Sequence, residues 1–84
     1  MKLNIFAVRD QATDQFGNPM FLVSTGQAIR SFGDEINNKE SNNLLNKHPE
    51  DYALYHLGEY DTDTGTFTTQ APKQVAIGKD LTVK

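Results

Sequence analysis

The chain of 84 residues contains no cysteine. Without thiols it can form neither a disulfide framework nor a thiolate zinc site, and this favours a protein of a reducing cytosol. The two histidines, His48 and His56, lie far from a paired-ligand spacing and leave little to bind a transition metal. We therefore expect neither a metal nor a cofactor.

Long apolar runs are also missing, with 37% hydrophobic residues and a mean hydropathy of −0.58. No stretch approaches the roughly 20 residues of a membrane helix, and Met1–Phe6 is too short and too alternating for a signal peptide. We expect a cytoplasmic protein without membrane contact. Residues 1–84 should form one domain with a thin core, and such domains often gain core by self-association. A homodimer or higher homo-oligomer is therefore expected.

The net charge of −3 is unevenly distributed. Residues 1–30 carry three cations against two acids, residues 31–64 carry two against eight, and residues 65–84 carry three against one. A solvated surface explains this pattern. The alternative is that the two mildly basic ends meet in space and form a cationic face.

Hydrophobic periodicity in the first half predicts a strand followed by a helix. Lys2–Arg9 alternates as a strand does, and Met20–Val23 is a short apolar run that fits a strand or an extended segment. Ser24 and Gln27 have the spacing of a capping box. The apolar stripe behind them predicts a helix to about Asn37.

The second half predicts a short helix and a hairpin. Ser41 can cap a helix that Pro49 ends, because the residue before a proline is displaced from the α region. The aromatic-rich segment Tyr52–Tyr60 gives the strongest strand prediction in the chain. Residues 61–65 are predicted to form a hairpin loop, and Thr66–Gln70 the antiparallel strand that follows it. After an interruption at Pro72, residues 74–77 predict an edge strand. These elements indicate an α+β fold: a single two-layer domain with an antiparallel or mixed sheet of three to five strands, and one longer and one short helix on one face.

The sequence contains no complete catalytic or metal-binding motif. Asp61-Thr62-Asp63 resembles the start of a calcium loop, but Thr66 and Pro72 stand where that loop needs glycine and glutamate. A triad of Ser41, Asp51 and His56 can be imagined, yet no nucleophile elbow surrounds the serine. We expect a nonenzymatic protein.

Aromatic residues concentrate on the predicted hairpin. Buried packing is one explanation, and a platform that stacks unpaired bases is the other. Alternation places His56 and Tyr60 on one face, with Tyr55 on the opposite one. An acidic composition disfavours strong, salt-driven nucleic-acid binding. The predicted nucleic-acid contacts are Lys2, Arg9, His56, Tyr60, Lys73, Lys79 and Lys84.

Three segments resemble a known viral family. They are Met1–Asp10, Gly26–Phe32, and the run from Lys47-His48-Pro49-Glu50-Asp51-Tyr52 through Leu54-Tyr55, Leu57-Gly58 and Tyr60-Asp61 to Thr64-Gly65. In order and spacing the chain resembles the small nonstructural protein of gokushoviruses, which are microviruses: tailless bacteriophages with single-stranded DNA.

The resemblance implies a role in viral single-stranded DNA synthesis or packaging in the host bacterial cytoplasm, with direct binding of single-stranded DNA. The alternative is a protein-interaction module that binds the phage replication initiator, a host replication factor, or a capsid or other assembly partner. The family supplies no catalytic residues. Arg30 and the segment from Pro49 to Tyr52 match its patterns, but structural roles also explain them. Arg30 could bridge the helix to Glu50 or Asp51, and Pro49 could set the corner between helix and strand.

Overall fold

An antiparallel sheet of five strands organises the protein, and the computed structural model describes residues 1–83. The strands are β1 Lys2–Asp10, β2 Gln15–Phe16, β3 Met20–Leu22, β4 Tyr52–Asp61 and β5 Thr66–Ile77. β1 is central: β4 pairs along one of its edges, while β2 and β3 share the other. β5 pairs with β4 and forms the outer edge. The expected two-layer α+β fold is confirmed.

The longer helix, α1, spans Thr25–Ile36. The Ser24 hydroxyl accepts a hydrogen bond from the Gln27 amide at 3.2 Å, as predicted. The Gln27 side chain reaches one residue further back than a capping box requires and accepts from the Val23 amide at 3.2 Å. Among the described residues 1–83, no helix has both the length and the apolar character needed to cross a bilayer.

The short helix, α2, spans Leu44–Lys47 and is capped by Asn43, so the predicted Ser41 cap is wrong. Asn43 Oδ1 accepts from the Leu45 amide at 3.1 Å, while its Nδ2 donates to the carbonyls of Glu35 and Asn38 at 2.8 and 2.7 Å. A carboxamide can cap this helix and bind the end of α1 at the same time. A serine hydroxyl has too few donors to do both.

The corner into β4 is a 3₁₀ turn over Pro49–Asp51, with proline at its start as expected. The suggested bridge from Arg30 to Glu50 or Asp51 is not among the ion pairs of residues 1–83, and Arg30 is exposed. A second 3₁₀ turn, Gly78–Leu81, follows β5 and packs against α1.

The core lies between α1 and one face of the sheet. Phe6, Ile36 and Leu54 are its largest fully buried side chains, and Phe32 and Tyr52 complete the cluster. Burial, followed by the nearby carboxylates of Asp10 and Asp51, raises the pKa of Tyr52 above its ordinary value. The phenol therefore remains neutral in the folded protein.

β4 contains one extra residue relative to β1. Phe6 pairs with His56 and Ile5 with Gly58, so Leu57 has no partner on β1. Gly58 adopts a φ of 149°, which side chains of L-residues rarely tolerate. This is a β-bulge, and it reverses the side to which the following residues of β4 point.

A matching irregularity in β5 explains Pro72. His56 pairs with Lys73 and Gly58 with Thr69, so residues 70–72 oppose Leu57 alone. Proline is tolerated on edge strands and at bulges, where its missing N–H breaks no ladder bond. The predicted interruption is therefore absorbed, and β5 continues to Ile77 as one strand.

Gly58 should not tolerate a side chain. A Cβ atom there would meet the carbonyl oxygen of Thr68 and lie 3.0 Å from the Cα of Thr69. We expect Gly58→Ala to lower the free energy of unfolding by about 2–4 kcal/mol, since steric overlap adds to backbone strain. Gly65→Ala is the matched control: φ is 69° and no atom lies within 4 Å of its Cβ, so only strain of about 1–2 kcal/mol applies. Urea denaturation measures both, and equal losses would contradict this account of Gly58.

Tyr52 should couple stability to alkaline pH. Its folded pKa is raised, so the stability it contributes is complete below the unfolded value of about 10 and is lost as pH rises through the folded value. We expect the urea midpoint to fall between pH 9 and 11 (roughly one unit either side of that value) and Tyr52→Phe to reduce the fall. An undiminished fall in the variant would assign the alkaline transition to other groups.

Candidate nucleic-acid interface

The sheet has a second face that α1 does not cover, here called the open face. Successive residues of a strand point to opposite sides. Phe6 lies in the core under α1, so the odd-numbered residues of β1 point the other way. Pairing extends this assignment to the neighbouring strands. The resulting open face contains Leu3, Ile5, Ala7, Arg9, Phe16, Phe21, Ala53, Tyr55, Tyr60, Phe67, Gln74 and Ile77.

One end of the open face carries an aromatic triad of Phe21, Tyr60 and Phe67. The ring centroid of Phe21 lies 5.9 Å from that of Tyr60 and 6.2 Å from that of Phe67, and the centroids of Tyr60 and Phe67 are 4.8 Å apart. Phe67 is 57% exposed and Phe21 41%. The triad forms because the bulge turns Tyr60 to this side, opposite Leu3 of β1.

The other end carries a group here called the Arg9 cluster: Arg9, Asp14, Phe16 and Tyr55. Phe16 and Tyr55 meet edge to face at 5.4 Å, and the Arg9 guanidinium carbon lies 5.7 Å from the Phe16 centroid. Arg9 Nη2 donates to Asp14 Oδ1 at 2.8 Å. Interaction with the Tyr55 hydroxyl, and then the charge of Asp14, raises the pKa of Arg9, which stays cationic.

The two aromatic groups flank a small buried floor. Ile5 and Ala7 point to the open face yet are only 5% and 1% exposed, so the surrounding rings shield them as a minor second core. Tyr55 and Tyr60 pair with Ala7 and Leu3, which are four positions apart on β1, or about 13 Å. The open face thus combines structural packing with outer ring surfaces that remain accessible.

Among residues 1–83, no acidic residue of the strands points to the open face, although the chain contains eleven acidic residues. Asp10, Glu59 and Asp61 lie on the strands but point to the side of α1, by their pairing. The others lie in helices, turns and loops, and Asp14 among them reaches the open face through its hydrogen bond with Arg9. A net charge of −3 therefore does not make this surface anionic.

The structure divides the predicted contact residues. Tyr60 and Arg9 lie on the open face. His56 lies on the opposite side, so the predicted shared face of His56 and Tyr60 is wrong, because the bulge between them reverses the alternation. The His56 ring contacts Phe6 at 5.1 Å, and its nitrogens face Asn4 Oδ1 and Gln70 Nε2, both at 3.2 Å. A neutral imidazole with its proton on Nε2 satisfies both contacts.

The predicted lysines within residues 1–83 do not gather on one surface. Lys2 pairs with Asp61 at one end of the sheet, and Lys73 lies opposite His56 on the edge strand. Lys79 is in the 3₁₀ turn that packs against α1, and Lys84 lies outside the described residues. The predicted cationic face made from both ends of the chain is therefore not seen in residues 1–83. Arg9 is the only cation on the open face there.

Four aromatic members of the open face were not among the predicted contacts: Phe16, Phe21, Tyr55 and Phe67. Phe16 belongs to a turn-like Phe-Gly-Asn-Pro sequence, and Phe21 to an apolar run with no alternation. Their aromatic character was the only available signal. Which side each ring takes depends on pairing with β1, which local sequence does not encode.

The side of α1 has an apolar groove of its own. Two adjoining cavities of about 460 and 230 Å³ share Val8, Met20 and Leu45 in their walls. Asp10 borders the larger cavity and Glu35 the smaller. The groove is therefore apolar inside with acidic residues at its rim.

The exposed corner before β4 holds three side chains of metal-ligating type. One ligating atom from each lies within 4.8 Å of the others, and the side chains are those of His48, Glu50 and Asp51. The 3₁₀ turn itself brings these side chains together.

The comparisons with known proteins agree with the predicted resemblance. A family model described as "Phage ORF5 protein" matches residues 3–81. "Protein ORF5" of Chlamydia phage 1, a gokushovirus, is 29% identical over 69 residues, covering 80% of this chain and 72% of that protein. No solved structure matches. Since the family match spans all five strands and both helices, this chain belongs to the Phage ORF5 protein family.

Proposed function

We propose that this phage protein binds single-stranded DNA through the open face, without catalysis, during viral DNA synthesis or packaging in the host cytoplasm. The observation that supports this most is the presence of accessible rings at both ends of one sheet face, to which no acidic residue of the described strands points. Every base has a π-face, so stacking on such rings is tolerant of sequence. Membership of a phage family supports the viral setting.

Stacking, rather than ion pairing, supplies the affinity in this proposal. A base stacked on an aromatic side chain contributes about 1–3 kcal/mol. Among residues 1–83, only Arg9 is placed to contact a phosphate on the open face. Each phosphate neutralised on a single strand contributes a salt slope of about −0.7, so the slope should stay near that of one contact. A steep slope would contradict this use of the face.

Loss of an exposed ring should weaken binding. We expect Phe67→Ala and Tyr60→Ala each to raise the Kd for a labelled oligothymidine of about 12 nucleotides by roughly 5- to 150-fold, the range that corresponds to one stacked base. Fluorescence anisotropy measures the affinity, and circular dichroism verifies the fold.

The matched controls lie off the open face. Lys73→Ala and Lys79→Ala remove cations that were predicted to bind DNA but lie elsewhere in the structure, and should change Kd less than twofold. If the lysine variants lose binding and the ring variants do not, the open face is not the DNA surface. Absence of any binding by the unmodified protein at 50 mM salt would exclude the proposal.

Asp14 should restrain Arg9. The Asp14 carboxylate forms an ion pair with the Arg9 guanidinium at 2.8 Å, so a phosphate has to compete with this carboxylate for Arg9. Asp14→Asn removes the competing charge, and asparagine tolerates the φ of 57° at this position. We expect a Kd about 1.5- to 5-fold lower for the same oligonucleotide, as expected for release of one exposed ion pair. Arg9→Gln should abolish this gain, whereas a gain that persists in the double variant would place the effect elsewhere.

The groove beside α1 supports a second function, binding of a protein partner. Its apolar walls and the acidic rim of Asp10 and Glu35 suit a segment with an apolar anchor and basic flanks. The replication initiator, a host replication factor or an assembly partner could supply such a segment. Leu45→Lys would block the groove while leaving the open face intact. Loss of DNA binding in that variant would argue against separate surfaces.

A further inference from the structure

β5 is the outermost strand of the sheet and is unusually accessible. All residues from Thr66 to Gln74 are exposed. Natural proteins protect such edges with proline, lysine or a bulge. Pro72, Lys73 and the bulge protect the second half of β5, whereas Thr66–Gln70 has no charge, proline or glycine. This first half, here called the free edge, retains unpaired backbone groups.

The free edge presents those groups in a defined pattern. The Thr68 carbonyl oxygen points toward Gly58 of β4, since a Cβ on Gly58 would collide with it. Backbone groups in an antiparallel ladder alternate between the two sides of the strand. The N–H and C=O of Phe67 and Thr69 therefore point outward, away from β4.

We propose that the free edge pairs with the free edge of a second copy of this chain, antiparallel and centred on Thr68, to make one continuous sheet. In this register Phe67 of one copy lies opposite Thr69 of the other, so both residues use their outward backbone groups. The pairing needs no nucleic acid and does not depend on the proposed function.

Charge supports a second copy as the occupant. The acidic turn with Asp61 and Asp63 precedes the free edge, and Lys73 follows it. Antiparallel pairing brings the acidic end of one copy to the basic end of the other, at both ends of the interface. Parallel pairing would align like charges, which is unfavourable.

The dimer would also extend the open face. Phe67 and its counterpart would be diagonal neighbours about 7–8 Å apart, within reach of aromatic side chains. The two aromatic triads would then form one band of six rings on the same side of the sheet. Thr68 points to the opposite side, where substitution leaves these rings untouched.

The mass in solution, measured by light scattering without DNA, tests the pairing. We expect twice the chain mass of 9.4 kDa. Thr68→Lys places two ammonium groups opposite each other at the two-fold axis and should halve the mass. Thr13→Lys adds the same charge in the turn between β1 and β2 and should not change it. A monomeric unmodified protein, or a dimer that persists in Thr68→Lys, would overturn the proposal.

The rate of disulfide formation at an introduced cysteine provides a second measurement, which does not depend on a variant that separates the dimer. Thr68 and its counterpart would form a non-hydrogen-bonded pair with Cβ atoms about 4.5–5.5 Å apart, close enough for slight adjustment to allow a disulfide. Since the chain has no cysteine, Thr68→Cys introduces a single thiol. Mild oxidation should link it at least tenfold faster than Thr13→Cys. Equal rates would overturn the proposed register, whereas failure of DNA binding alone would leave the dimer unaffected.

Discussion

The bulge at Leu57 and Gly58 is the constraint on which both faces of this sheet depend. Before it, even-numbered residues of β4 face α1 and complete the core with Leu54. After it, the same parity faces outward, and Tyr60 joins Phe21 and Phe67. Without the bulge, Tyr60 would lie opposite Lys2, where Asp61 lies now, and would point to the side of α1, so the triad would be incomplete. A single glycine with φ of 149° allows this change of direction.

The fold therefore places the core residues, the accessible rings and the acidic residues in different parts of the sheet, which the overall composition cannot show. Core packing occupies the side of α1, the accessible rings occupy the open face, and the acidic residues of the strands point toward α1 or lie at the sheet ends. The average acidity of the chain argues against nucleic-acid binding, whereas the placement of the acids removes that objection for one surface. Stacking of bases on rings needs little cationic charge, and Arg9 supplies a single positive group beside Phe16.

Local signals in the sequence were sufficient for the class of fold and for several boundaries. The Ser24 cap, the corner at Pro49 and the strand from Tyr52 follow from side-chain chemistry within a few residues, and the structure contains each of them. The Asn43 cap was missed because the carbonyl groups that accept from its side chain, those of Glu35 and Asn38, lie at and just beyond the end of α1, which becomes adjacent only on folding.

The site was less predictable than the fold for a related reason. Strict alternation assigned His56 and Tyr60 to one face, and a one-residue irregularity in pairing invalidated that assignment. Likewise, Lys2, Lys73 and Lys79 belong to the two basic ends of the sequence, but the fold does not bring them together. Tyr60 and Arg9 were found from their residue types. Their neighbours Phe16, Phe21 and Tyr55 required knowledge of which strands pair with β1.

The bulge also constrains how genes of this kind can change. Replacing one ring with another alters a local contact, but gaining or losing one codon between Tyr55 and Tyr60 would exchange inward and outward side chains for the remainder of β4. Substitutions at the exposed positions of this strand are therefore tolerated better than a change in its length. Homologous proteins should vary in residue type at those positions but keep the glycine of the bulge and a constant count of positions between the two tyrosine sites.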